Sequence, residues 1–169
     1  SIEVLDAAGT AMYLGRELSL LQPHDVELKH RLAKAWAKFG IFRSELTDQN
    51  VPLHLRMKLF HSVVTPSVMY GSGAWVMTGA REQSLKTTQL KMMRTISGTR
   101  RLVRNSPDPA LTEVETWVEW VQRVTAIARR MMHAFQIPDW SEEQRRRVLA
   151  WNKRLEKMEG HRWARMVLD

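Results

Sequence analysis

The sequence contains no cysteine. A disulfide scaffold, thiolate zinc sites, iron–sulfur clusters and a cysteine nucleophile are therefore excluded together. It contains no run of about 18 consecutive apolar residues, the length a membrane-spanning helix requires, so no membrane partner is expected. Gly71-Ser72-Gly73 is followed by no Gly-Lys-Ser/Thr and is no phosphate loop, and a Gly-x-Ser-x-Gly elbow is absent. No Asp-Asp pair, internal repeat or low-complexity tract occurs. Ser1 to Leu5 carry neither an initiator Met nor the charged-then-apolar form of a signal peptide. We expect the chain to be a piece of a longer one.

The acids and histidines that are present do not group. Glu142-Glu143 and Glu113/Glu115 lie near expected helix starts, where carboxylates suit the positive end of the dipole. Neighbours on a helix diverge by about 100°, so neither pair is set to share a proton or a metal. Among His24, His30, His54, His61, His133 and His161, no two stand at i, i+4 beside an acid. We expect no catalytic residues, no metal site and no cofactor.

What remains is an ordinary folded composition, 44% hydrophobic and 26% charged over 169 residues. That supports one domain with a core, or two small ones. The net charge is +8 with a pI near 10.3, which suggests a polyanionic partner. Residues 81–110 hold seven cations (Arg81, Lys86, Lys91, Arg94, Arg100, Arg101, Arg104) against Glu82 and Asp108, so +5 of the +8 sits there. Clustering matters more than the total, because phosphate attraction decays within a Debye length of about 10 Å.

Periodicity predicts a mainly α fold: a short N-terminal β-hairpin followed by a bundle of five or six helices. In the hairpin, within residues 1–18, Ile2 and Val4 alternate with polar neighbours, Ala8-Gly9 turns and Met12-Tyr13-Leu14 returns. After Pro23, a helix turns Leu28, Leu32, Trp36 and Phe39 inward and runs on through Ile41, Phe42 and Leu46 to a break at Thr47–Asn50. A second buries Leu55, Leu59, Phe60 and Val63, and Pro66 must kink or interrupt it. Gly71–Gly73 forms an irregularity or tight turn. Thr78 caps a third helix with the stripe Leu85, Gln89, Met92, Ile96, and Gly98 stops it. Residues 99–110 form a basic loop ending in Pro107-Asp108-Pro109. A fourth helix, 111–135, buries Val114, Trp117, Val118, Val121, Ala128, Met131 and Met132. Ser141 and Gln144 make a capping box for a fifth, with Val148, Trp151, Leu155 and Met158 inward and Gly160 at its end. His161 to Leu168 form a last short helix. Of the seven tryptophans, Trp36, Trp75, Trp117 and Trp151 fall on apolar stripes and are expected in the core; Trp120, Trp140 and Trp163 are not placed by spacing.

Several motifs, in order, resemble a known family. Tyr13-Leu14-Gly15 is similar to the element that closes the palm and opens the thumb of non-LTR (LINE-type) retrotransposon reverse transcriptases. Glu27-Leu28, Arg31-Leu32, Ala35-Trp36 and Lys38-Phe39 resemble the first thumb helix. Arg56–Phe60, Val63–Pro66, Tyr70-Gly71 and Trp75 resemble the next, and Gln89–Arg94 with Gly98 a third, where Leu90 replaces a common basic residue. Trp117-Val118-Glu119-Trp120-Val121-Gln122-Arg123 resembles a post-thumb Trp-x-x-Trp-x-x-Arg element. Trp151, Gly160-His161 and Ala164-Arg165 resemble the family's Trp, Gly-His-x-x-Arg ending, with Arg162-Trp163 inserted before Ala164 and no later Trp.

The resemblance covers nearly the whole chain and implies a thumb and post-thumb fragment, because the family's palm aspartates lie upstream of Tyr-Leu-Gly. It implies that residues 1–18 end a palm-like segment, 19–98 form a thumb-like helical lobe and 111–169 a post-thumb lobe. Its partners would be an RNA-template and DNA-primer duplex and the upstream palm and fingers of the same polyprotein, in the nucleus. Lys86, Lys91, Arg94, Arg100, Arg101 and Arg104 would contact phosphates, and Tyr13, Leu14 and Gly15 would form the palm–thumb junction. It would be no enzyme on its own. The competing expectation is a helical protein-interaction module docking through exposed tryptophans of 117–163.

Overall fold

A computed structural model describes residues 9–104 and 113–158. Ile2, Val4, Ala8, Pro107–Pro109, Gly160, the expected helix His161–Leu168 and Trp163 lie outside the described residues. Two strands, β1 (Thr10–Tyr13) and β2 (Arg16–Ser19), pair antiparallel with Tyr13 opposite Arg16. The turn of this hairpin is Leu14-Gly15, with φ of 46° and 75°; the turn expected at Ala8-Gly9 begins outside the described residues. A two-residue hairpin whose strands twist right-handedly wants positive φ at both turn positions. Leu14 is a poor residue for that conformation. Tertiary contacts hold it: the Tyr70 hydroxyl donates to the Leu14 carbonyl at 2.9 Å, and the Arg31 guanidinium donates to that of Gly15.

Helix α1 (Pro23–Ile41) begins with proline where a missing N–H costs nothing. Its buried stripe is Glu27, Leu28, Arg31, Ala35 and Phe39. Trp36, expected inside, lies about 100° off that stripe and is 40% exposed. The stripe is rotated because two charged residues occupy it. The Glu27 carboxylate accepts from Arg31 Nε at 2.8 Å and from the Glu17 backbone N–H at 2.6 Å, and Arg16 Nε lies 3.7 Å away.

Phe42 leads into α2 (Arg43–Thr47), which ends at an Asx turn where Asp48 Oδ1 accepts from the Asn50 N–H at 2.8 Å. Helix α3 (Leu53–Leu59) continues through a π-helical turn, Phe60–Val64, into α4 (Thr65–Met69). The Thr65 N–H reaches back five residues to the Phe60 carbonyl. One extra residue in that turn lets Pro66 follow without its ring striking the preceding turn. The run is thus one interrupted helix, and the described chain holds six helices after its hairpin. Its buried side is Met57, Phe60, Val64, Val68 and Met69; Leu55 is exposed, and Leu59 and Val63 are half-buried.

Gly71 (φ 67°) opens a 3₁₀ turn, Ser72–Ala74, so the expected tight turn is present. In α5 (Gly79–Ser97), Thr78 Oγ1 accepts from the Arg81 N–H, Leu85, Gln89, Met92 and Ile96 are buried, and Gly98 ends the helix at φ 62°. Gly98→Ala should cost about 1–2 kcal/mol, the penalty for a side chain in the left-handed region. A urea melt of the variant checks this.

The basic segment after Gly98 contains β structure, contrary to the expected loop. Strands β3 (Val103–Arg104) and β4 (Glu113–Val114) pair antiparallel. Helix α6 (Trp117–Ala134) carries a capping box formed by Thr116 and Glu119. Only its later residues Val124, Ala128, Met131 and Met132 are buried; Val114, Trp117 and Val118 are exposed and Val121 half-buried.

Helix α7 (Trp140–Glu156) is capped by Asp139, and no Ser141–Gln144 capping box forms. Both of those residues are buried: Ser141 Oγ donates to Asp139, and the Gln144 amide donates to the Ser72 and Trp75 carbonyls. On α7 Leu155 is buried, Val148 is half-buried and Trp151 is exposed; Met158, just past its end, is half-buried. Trp75 and Trp140 are the buried tryptophans among the described residues. Buried side chains from both sides of 99–110, from Leu28 to Trp140, form one contiguous core.

Candidate nucleic-acid interface

The cations of 81–110 have different local fates. Arg81 donates from Nε and Nη2 to the two carboxylate oxygens of Asp25, at 2.6 and 2.7 Å, and pins α5 to α1. That pair holds the Asp25 carboxyl below its usual range. Lys86 lies 3.9 Å from Glu82, one turn away on α5. Lys91 is exposed, and Arg94 is half-buried with Nη1 donating to Thr125 Oγ1 of α6 at 3.2 Å. Arg100 and Arg101 are exposed in the segment after Gly98, and Arg104 falls in β3. Among the described residues, Lys91, Arg100 and Arg101 take part in no salt bridge.

That segment is tied to α6. Glu115 Oε2 accepts from the Leu102 N–H at 3.0 Å, and the Leu102 carbonyl accepts from the Glu115 N–H at 2.9 Å. Arg123 grips the same carboxylate with two bonds of 2.7 Å and reaches the Arg100 carbonyl at 2.9 Å. Hydrogen bonding to Glu115 raises the Arg123 pKa above its ordinary value. The Trp120 indole donates to the Thr99 carbonyl at 3.0 Å. Backbone held at four points presents Arg100 and Arg101 from a fixed base, which a phosphate-contacting surface needs.

Between α1, α5 and α6 lies an open groove of ≈370 Å³. Trp36, Lys91, Arg94, Trp117, Trp120 and Val121 line it. Trp117 is 60% exposed, tilts against Trp120 with ring centroids 4.9 Å apart, and has the Arg101 guanidinium 5.5 Å from its ring centre. The expectation that Trp36 and Trp117 are core residues is thus overturned, and the structure brings them to Lys91 and Arg94. Spacing alone missed them because an apolar stripe signals burial only where a neighbour covers it. Lys86 does not line this groove.

Tyr13 and Leu14 are exposed at the hairpin tip. Tyr70 connects them to the helices: its hydroxyl holds Leu14, and its ring carries the Arg31 guanidinium 4.5 Å from the centre. A second groove of ≈470 Å³ runs between Gly71–Ala74 and α7, lined by Arg16, Arg147, Trp151 and Arg154. Arg147 there is committed to Glu143 and the Met69 carbonyl. Among the described residues, no three His, Asp or Glu side chains group to hold a metal ion, and no helix is long and apolar enough to cross a membrane.

The class these features define is a mainly helical module with a basic, tryptophan-bearing face. Over 94 residues the chain is 31% identical to an uncharacterized transposon-derived protein of Caenorhabditis elegans; the match spans 56% of this chain and 33% of that protein. The chain therefore matches about a third of its relative's length. No protein-family model and no solved structure matches the chain.

Proposed function

We propose that the chain is the nucleic-acid-binding thumb and post-thumb portion of a LINE-type reverse transcriptase. It grips an RNA–DNA template–primer duplex and leaves polymerase chemistry to an upstream palm. The observation that carries this reading is the set of exposed cations Lys91, Arg100 and Arg101, which among the described residues take part in no salt bridge, together with Arg94 bonded to Thr125 and the Arg100 backbone fastened to α6. A polymerase must hold a moving duplex without reading its sequence, so phosphate contacts from rigidly based cations suit the task. A hybrid duplex is recognised through its shape, backbone and 2′-hydroxyls. Similarity to a transposon-derived protein supports the same reading. Residues 19–98 then serve as the thumb, 111–169 as the post-thumb lobe and Tyr13-Leu14-Gly15 as the palm junction, and the assembly works in the nucleus. No cofactor is needed, since the work is electrostatic positioning.

The test is hybrid binding by the purified chain across a salt series. Replacing Arg100, Arg101 and Arg104 by Gln should preserve the melting point, because side chains outside the helices rarely carry core stability. It should weaken hybrid binding and reduce the log–log salt slope by up to about 0.9 for each phosphate that is no longer neutralised. Unchanged affinity and slope would make the cluster ordinary solvated surface. Binding that barely responds to salt would favour the alternative, a protein-docking module using the exposed tryptophans.

A further inference from the structure

The tryptophan groove has a shape and composition that duplex gripping does not use. Paired bases have their faces covered by their neighbours and offer a protein their backbone and groove edges. A backbone-gripping surface needs cations but no aromatic faces. Here three indoles, Trp36 from α1 and Trp117 and Trp120 from α6, share a groove with Lys91 and Arg94, and among the described residues no carboxylate lines it. Its volume of ≈370 Å³ lies in the range of small-molecule sites, about 300–1,000 Å³.

Trp36 and Trp117 are both held in place. Trp36 sits edge-on to the buried Phe39, ring centroids 5.6 Å apart at 72°. Trp117 leans on Trp120, whose N–H is bonded to the Thr99 carbonyl. Neither indole is buried in the core: Trp36 is 40% and Trp117 60% exposed, and the cation over the Trp117 ring is the exposed Arg101. Aromatic faces with adjacent cations are what single-stranded nucleic acid recognises: bases stack on the rings and phosphates meet the cations.

We propose that this groove binds an unpaired nucleotide, with its base stacked on Trp117 or Trp36 and its phosphate set against Lys91, Arg94 and Arg101. The occupant is single-stranded RNA or DNA, such as the strand that continues past the end of a gripped duplex. The proposal deepens the nucleic-acid reading above and rests on it for the charge.

The experiment compares four probes: a blunt RNA–DNA hybrid, the same hybrid with a short single-stranded overhang on either strand, an oligo(dT), and an oligomer of abasic sites with the same number of phosphates. Oligo(dT) should bind more tightly than the abasic oligomer by about 5- to 150-fold for one stacked base, and it should quench indole fluorescence. Trp117→Ala and Trp36→Ala should remove most of that difference and the advantage of the overhang, while leaving blunt-hybrid affinity within about twofold. Trp117→Phe, which keeps a stacking face, should retain most of it. Circular dichroism melts confirm that each variant is folded.

Equal affinity for oligo(dT) and the abasic oligomer overturns the proposal, and steep salt dependence for both would leave phosphate gripping intact. Alanine variants that bind oligo(dT) like the parent overturn it too. A chain that binds oligo(dT) but not the blunt hybrid upholds this site and refutes the duplex-gripping function.

Discussion

Replacing Trp140 by alanine is expected to destabilise the fold by about 3–5 kcal/mol, lowering the melting point by about 6–20 °C at this chain length. The indole is fully buried. It stacks on Phe60 with ring centroids 5.9 Å apart at 8°, and its N–H donates to Thr65 Oγ1 at 3.2 Å. It therefore packs on the π-helical turn that precedes Pro66. Its own backbone N–H donates to Gln89 Oε1 at 2.9 Å, while Gln89 Nε2 donates to the Pro138 carbonyl at 2.9 Å. One buried amide thus satisfies both polar groups of the chain entering α7. Removing the indole leaves a cavity and takes the hook from α7, whose amides should lose hydrogen-exchange protection first. Calorimetry with exchange measurements checks this. A variant that melts like the parent would show that α7 is held by other contacts.

A second large effect is expected at Glu27. Its carboxylate is fully buried and is shared by Arg31, the Glu17 N–H and Arg16. Glu27→Ala would leave the buried Arg31 guanidinium without its anion, a loss of about 3–5 kcal/mol where one partner of a buried pair is removed. The hairpin should loosen first, since the Glu17 N–H loses its acceptor and Arg31 no longer has a fixed place from which to hold Gly15. The double variant Glu27→Leu, Arg31→Met should recover part of the loss, because no uncompensated charge is then buried. Denaturant melts of the two variants decide the matter. A double variant less stable than Glu27→Ala would mean that the remaining bonds of Arg31, to Gly15 and the Tyr70 ring, outweigh its desolvation.

These two sites explain why the tryptophans could not be sorted by spacing. Trp140 lies at the start of α7, where a single turn gives no period to read; its burial comes from Phe60, some eighty residues earlier in the chain. Trp36 falls on an apolar stripe only if Glu27 and Arg31 are assumed to face solvent. Once those two charges neutralise each other inside, the stripe moves to Ala35 and the indole turns outward. Trp117 is a different case. The stripe Trp117, Val121, Val124, Ala128, Met131 has the right phase throughout, but α5 covers only its later part. The uncovered first turns become a wall of the groove.

Helix α5 was fully legible, because each of its signals is local: a threonine cap, a four-residue stripe and a glycine stop. The charge cluster after it was legible in the same way, as a count along the chain. Its partition was not. Arg81 is bound to Asp25 across 56 residues of sequence, while Arg94 turns to Thr125 and Arg101 to the Trp117 ring.

The sequence by itself determined the mainly helical class, the hairpin's presence, the disruption at Pro66, the termini of α5 and the place of the excess positive charge. Each follows from backbone geometry or from counting, and needs no partner. Tertiary structure alone decided which stripes are covered, which charges are buried in pairs and which tryptophans face solvent. Those outcomes depend on what lies opposite a side chain, and the opposite surface comes from a distant part of the chain.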